Sequence, residues 1–200
     1  MKKFPLALGT GVLSIALVLT GCTDASAPMD DDTASSEASS STANEADETF
    51  VTMMIPHHQQ AVEMSDIVLS KDDLDPRVAE LAQQIKDAQG PEIELMLGWL
   101  EDWGVEYDPD GMSGMDHGSM DKSMDGMMSD EDIAALEDAD ATLASRLFLE
   151  QMVMHHEGAV DMAKTALDEG QNQDVLDLAQ QVIDDQTAEI SEMKDLLNAL

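Results

Sequence analysis

Two hundred residues leave room for one domain with appendages. Aspartate and glutamate number 43 against 9 lysines and arginines, a formal charge of −34. This excludes nucleic acid as a partner, because binding it requires cationic neutralisation of phosphates, and it favours cations. Aromatic residues make up 3% while methionines number 16, so flexible thioethers replace the rings that ordinarily fill a core.

The chain opens with a basic "MKK", continues with the apolar "FPLALGTGVLSIALVL" and reaches "LTGC" at residues 19 to 22. The apolar run is short and ends in small residues, so residues 1–21 read as a secretory signal peptide rather than a spanning helix. "LTGC" at that distance from the start resembles a bacterial lipobox, in which the cysteine is lipidated and begins the mature chain. The plainer alternative is an ordinary signal with a chance cysteine. Lipidation of Cys22 would place the protein at the bacterial cell envelope, anchored to the membrane and facing outside the cytoplasm. Cys22 is also the only cysteine. Intrachain disulfides and thiolate metal sites are thereby excluded, so any soft metal ligand must be methionine. Residues 22–47 are rich in Ser, Ala, Thr and Asp, cannot bury enough surface to offset ordering entropy, and read as a flexible tether. The folded part is expected over 48–200.

Within it, four helical segments are predicted. The first spans about 48–70. The second spans about 76–103, with Asp75 as N-cap and Pro76 in the first turn. The third spans about 130–169, capped by Ser129 and stopped by Gly170, with Asp138 to Asp140 a point where it can break. The fourth spans about 173–199, after Asn172. The segments repeat in pairs. "FVTMMIPHHQQAVEM" (50–64) aligns with "FLEQMVMHHEGAVDM" (148–162) with seven of fifteen positions identical, and "LAQQIKDAQGPEIELM" (81–96) aligns with "LAQQVIDDQTAEISEM" (178–193). Two short-looped helix pairs that must each bury one face predict an all-α four-helix bundle built by duplication.

At about 100° per residue, the seven shared positions of the first alignment occupy one arc of about 160°. That arc holds Met54, His57, His58 and Met64 in one half and Met152, His155, His156 and Met162 in the other. The histidines therefore lie on the face that packs inward. A glutamate from each second segment, Glu92 and Glu189, also falls on the core side. Phe, Met, Ala and Val at helical spacing are simply core. Buried imidazoles need a partner at each nitrogen. The four histidines with two glutamates could form a closed polar network, or they could bind a metal with the carboxylates holding the second nitrogens.

Residues 111–128, "GMSGMDHGSMDKSMDGMM", form a second chemical signal. Met112, Met115, Met120, Met124, Met127 and Met128 accompany His117 among Gly, Ser and Asp. No helical stripe runs through the segment, so these thioethers read as exposed soft donors for Cu(I), or for Ag(I) as its chemical mimic. A low-complexity linker with accidental methionines and sacrificial oxidation are the competing explanations.

The doubled "MIPHHQQAVEM" and "MVMHHEGAVDM", with "GMMSDEDIAAL" and "LAQQVIDDQTAEISEM", resemble the bacterial family known as domain of unknown function 305, over about residues 48–200. The resemblance implies a ferritin-like four-helix bundle, usually exported, with some members linked to copper or silver binding and tolerance. The chain departs from an even duplication at Gln151, which stands where Met53 stands in the first half.

The expected function is that of an envelope lipoprotein that binds Cu(I) or Ag(I) for sequestration or delivery in metal tolerance. Its partners would be metal ions and, through the lipid, the membrane. The alternative is a ferritin-like oxidoreductase holding iron or manganese on the histidine pairs with Glu92 and Glu189. Such centres take Glu-x-x-His from two helices. The residues three before the five histidines are Met54, Ile55, Gly114, Met152 and Val153, which weakens the enzymatic reading. A protein-docking scaffold would leave the methionine segment unexplained.

Overall fold

The computed structural model describes residues 42–108 and 126–200, and within them the chain is helical with no strand. Five helices follow in order: α1 Glu45–Leu69, α2 Pro76–Trp103, α3 Asp130–Asp138, α4 Ala141–Glu169 and α5 Gln173–Ala199. Caps read from the sequence end the helices where expected. Asp75, Ser129 and Asn172 each accept a backbone N–H in the first turn of the helix that follows, and Gly170 closes α4. The expected break in the third segment falls at Ala139, whose extended backbone separates α3 from α4, and Asp140 then caps α4 through the N–H of Leu143. Helix α1 passes through Pro56 without interruption.

The start of α1 differs from expectation. A tether through residue 47 is too long, because Asn44 caps a helix that already begins at Glu45. Asn44 and Asp47 form a reciprocal capping box, with Asp47 N–H on Asn44 Oδ1 at 2.9 Å and Asn44 N–H on Asp47 Oδ2 at 2.8 Å. The buried Asp47 carboxylate also accepts the N–H groups of Gln171 and Asn172, at 3.1 and 3.0 Å, and so ties the head of α1 to the α4–α5 turn. Gly170 admits this approach: a Cβ there would stand 2.6 Å from Asp47 Oδ1. The tether composition concealed a polar clasp whose partners lie more than a hundred residues away. The signal segment, Cys22 and the rest of the tether as far as residue 41 lie outside the described residues, as do residues 109–125, which include 111–125 of the methionine segment.

Helix α1 packs extensively on α2 and on α4, and α4 on α5. The apolar side chains divide into two clusters. One holds Met64, Val68, Leu81, Ile85, Phe148, Leu149, Met152 and Met193. The other holds Phe50, Met54, Ile55, Met96, Leu100, Ala159, Ala163 and Leu178. Along α1 the second cluster comes first, and along α4 the first cluster comes first, so the two helices run in opposite directions. Each long helix thus passes from one cluster to the other. On every helix the crossing point is occupied by polar residues: His57 and His58 on α1, Gln89 and Glu92 on α2, His155 and His156 on α4, and Gln186 and Glu189 on α5. A polar layer therefore lies across the middle of the bundle with an apolar cluster on either side.

Candidate metal centre

The repeated histidines occupy two kinds of place within this layer. His57 and His155, the first of each pair, meet across the α1–α4 contact with ring centroids 3.7 Å apart and planes inclined by 38°. Residues adjacent on a helix diverge by about 100°, so His58 and His156 turn aside towards the neighbouring helix of their own half. His58 Nε2 lies 2.8 Å from Glu92 Oε2, and His156 Nε2 lies 2.7 Å from Glu189 Oε2. An ionised carboxylate only accepts hydrogen bonds, so each Nε2 carries a proton, and in the neutral ring the lone pair then lies at Nδ1. Both Nδ1 atoms are buried with no hydrogen-bond partner, as are both ring nitrogens of His155. All four histidines are buried, whereas the two glutamates retain some solvent exposure. Glu92 is held further by Gln181 of α5, whose Nε2 donates to Oε1 at 3.1 Å.

Electrostatics keep His155 uncharged. Burial pushes the His155 imidazole well below its ordinary value of 6.5, and the neighbouring His57, His156 and His58 lower it further by like-charge repulsion. The backbone of His57 makes a smaller contribution in the opposite direction. A neutral imidazole is the form that can give a lone pair to a metal.

The candidate thioethers divide. Met54, Met64 and Met152 are fully buried and belong to the apolar clusters that border the layer, with Met54 and Met152 one helical turn from His57 and His155. Met162 is only partly buried, at the edge of its cluster. Met127 and Met128 are partly buried beside a surface groove, with Met128 packed against the first apolar cluster. Met112, Met115, His117, Met120 and Met124 lie outside the described residues. Among the described residues, no three His, Cys, Asp or Glu side chains are gathered as a metal-binding group. The structure brings histidines together in pairs with methionine nearby, a donor set suited to a soft ion of low coordination number.

Sequence reasoning gives Gln89 and Gln186 no role, although both fall on the inward arc. They are buried one turn before Glu92 and Glu189, and Gln89 Oε1 and Nε2 and Gln186 Oε1 lack hydrogen-bond partners. Their identity at matching repeat positions is the signal that could single them out. Gln151, the departure from the repeat, is also buried, and its Nε2 donates to the carbonyl of Asp132 at 3.1 Å. It serves to seat α3 on α4.

Residues 47–197, from the Asp47 clasp through both His-His helices, match the family described as Domain of unknown function (DUF305). The chain belongs to the DUF305 family. A DUF305 protein of Streptomyces coelicolor is 34% identical, with a TM-score of 0.69 over 77% of this chain and 91% of that one. A DUF305 fragment from Deinococcus radiodurans is 30% identical, with the same TM-score over 79% of this chain and 99% of that one. CopM in its Cu(I)-bound form is 28% identical, with a TM-score of 0.61 over 76% of this chain and 96% of that one. CopM has also been solved in Cu(II)-bound and Ag-bound forms. Among curated proteins none matches the chain. DUF305 membership agrees with the resemblance drawn from the doubled His-His motif, and the all-α bundle is common to these structures.

Proposed function

We propose that this DUF305 protein binds a soft monovalent cation, Cu(I) or Ag(I), in its buried histidine layer, and does so outside the cytoplasm as a lipid-anchored protein that sequesters or delivers the ion. The observation that carries the reading is the pairing of buried His57 with buried, neutral His155 across two helices, flanked by His58 and His156, whose Nε2 atoms are held by Glu92 and Glu189. Imidazoles from opposing helices offer donors to an ion that accepts few ligands, and apolar clusters on both sides exclude water that would compete for it. The glutamates act through the histidines, holding ring orientation and tautomer so that Nδ1 remains a donor. Met54 and Met152 supply thioethers one turn away. The acidic surface raises the local concentration of cations.

Likeness to CopM, solved with Cu(I), Cu(II) and silver, supports a copper- or silver-binding role. The signal-like N-terminus and "LTGC" support export and anchoring. The oxidoreductase alternative fits the geometry less well, because both carboxylates it would need are engaged by histidine and Glu92 also by Gln181.

The test combines His57→Ala with His155→Ala in the metal-free protein, titrated with Ag(I) by calorimetry and with Cu(I) against a competing chelator. The double variant is expected to lose one class of bound ion. The same ion should raise the melting temperature of the unmodified protein, by about 2.7 kcal/mol of stabilisation at a hundredfold excess over the dissociation constant. Undiminished binding in the double variant, with lowered metal-free stability, would reduce the histidines to a structural network.

A further inference from the structure

The described end of the methionine segment is fastened to the bundle. Gln60 grips the backbone of Met128 from both sides, its Oε1 accepting the Met128 N–H at 2.7 Å and its Nε2 donating to the Met128 carbonyl at 2.9 Å. Gly126, at a φ of 92°, lies so close to α4 that a Cβ there would stand 2.8 Å from the carbonyl oxygen of Met154 and 3.0 Å from that of His155. These contacts bring Met127 and Met128 alongside Met154, and a shallow groove of about 450 Å³ lies between them.

Met154 is 51% exposed, so it does not serve the core. It also breaks the internal repeat, since the equivalent position in the first half is Pro56. The groove is bordered by Asp132, Glu157 and Asp161. Each of these carboxylates already has a partner: Asp132 accepts from Ser129, Glu157 pairs with Lys194 at 2.9 Å, and Asp161 pairs with Lys164 at 2.9 Å. Their remaining oxygens are hard donors, so the soft donors of the groove are the sulfurs of Met127, Met128 and Met154. Thioethers are weak ligands for hard cations and good ones for soft ions of low coordination number.

From this arrangement we infer a second soft-cation site, at the surface, made by Met127, Met128 and Met154. It rests on the soft-metal reading proposed above, but it is separate from the histidine layer. Met154 directly precedes His155, and a Cβ at Gly126 would crowd the carbonyls of both, so an ion captured in the groove is held beside the helical turn that carries the buried histidine. The groove concentrates the ion at the bundle wall. The layer then retains it.

The test uses full-length, metal-free protein with isotopically labelled methionine methyl groups, titrated with Ag(I) and followed by NMR. In the His57→Ala, His155→Ala background the methyl signals of Met127, Met128 and Met154 are expected to shift together with one binding curve. Adding Met154→Leu, a substitution that a half-exposed helical position tolerates, should weaken the Met127 and Met128 shifts at least tenfold in apparent affinity. If the Met154 methyl stays still while the others titrate, or if Met127 and Met128 titrate unchanged in the Met154→Leu variant, the shared site is overturned. Groove methyls that shift normally in a protein whose histidine layer takes up no Ag(I) would sustain this inference and refute the proposed function. A chain in which no methyl and no histidine responds to Ag(I) would refute both.

Discussion

The buried histidine layer makes the metal-free protein sensitive to mild acid in a direction that its geometry determines. In the unfolded chain His155 is solvated and titrates near its ordinary 6.5, whereas in the folded bundle burial and the three neighbouring histidines hold it well below that value. Between the two values the unfolded chain holds a proton that the folded chain lacks, so acid favours unfolding. The stabilisation is fully present above pH 6.5 and diminishes as the pH falls towards the folded-state value. One proton difference corresponds to about 1.36 kcal/mol per pH unit, so lowering the pH from 6.5 to about 5 should remove up to about 2 kcal/mol on account of His155. Urea unfolding of the metal-free protein at intervals across this range, beside His155→Gln, isolates the effect from that of the 43 acidic residues that both proteins share. Carboxylates with lowered values act elsewhere: Asp75, drawn from 3.8 to about 2 by its bonds to Arg77, loses its contribution only as the pH falls through that range. The stability difference between the two proteins should therefore shift by up to about 2 kcal/mol from neutral pH to about pH 5. Parallel curves would show that His155 is solvated or protonated in the folded state and would refute a buried, neutral His155.

Replacing Glu92 and Glu189 by glutamine removes the charge that fixes each Nε2 proton while preserving side-chain size. Affinity for Ag(I) should fall by about 10- to 100-fold with the helical content unchanged, and an unaltered titration would show that the glutamates do not orient the histidines. Cys22→Ala should leave the protein as unprocessed precursor or release it from the membrane fraction, as read by fractionation and mass spectrometry of the N-terminus. A variant processed and membrane-bound like the unmodified protein would remove lipidation from the account.

The sequence by itself determined the helical segments, apart from the start of the first, and the histidines and glutamates of the candidate layer. Caps such as Asp75, Ser129 and Asn172 act on N–H groups within a few positions of themselves, so their effect is local and legible. The arc holding Met54, His57, His58 and Met64 follows from helical periodicity alone, and its recurrence in the second half showed that each half buries such a face. Tertiary structure decided how the members pair. The meeting of His57 with His155, against the turning of His58 and His156 to Glu92 and Glu189, depends on the antiparallel packing of α1 and α4 and on the height at which α2 and α5 cross them. The same holds for the burial of Asp47 at the α4–α5 turn and for the fastening of Met128 by Gln60. Periodicity specifies a direction about one helix axis. It carries no information on the axial offset between helices, and that offset decides which of two adjacent imidazoles meets its counterpart and which meets a carboxylate.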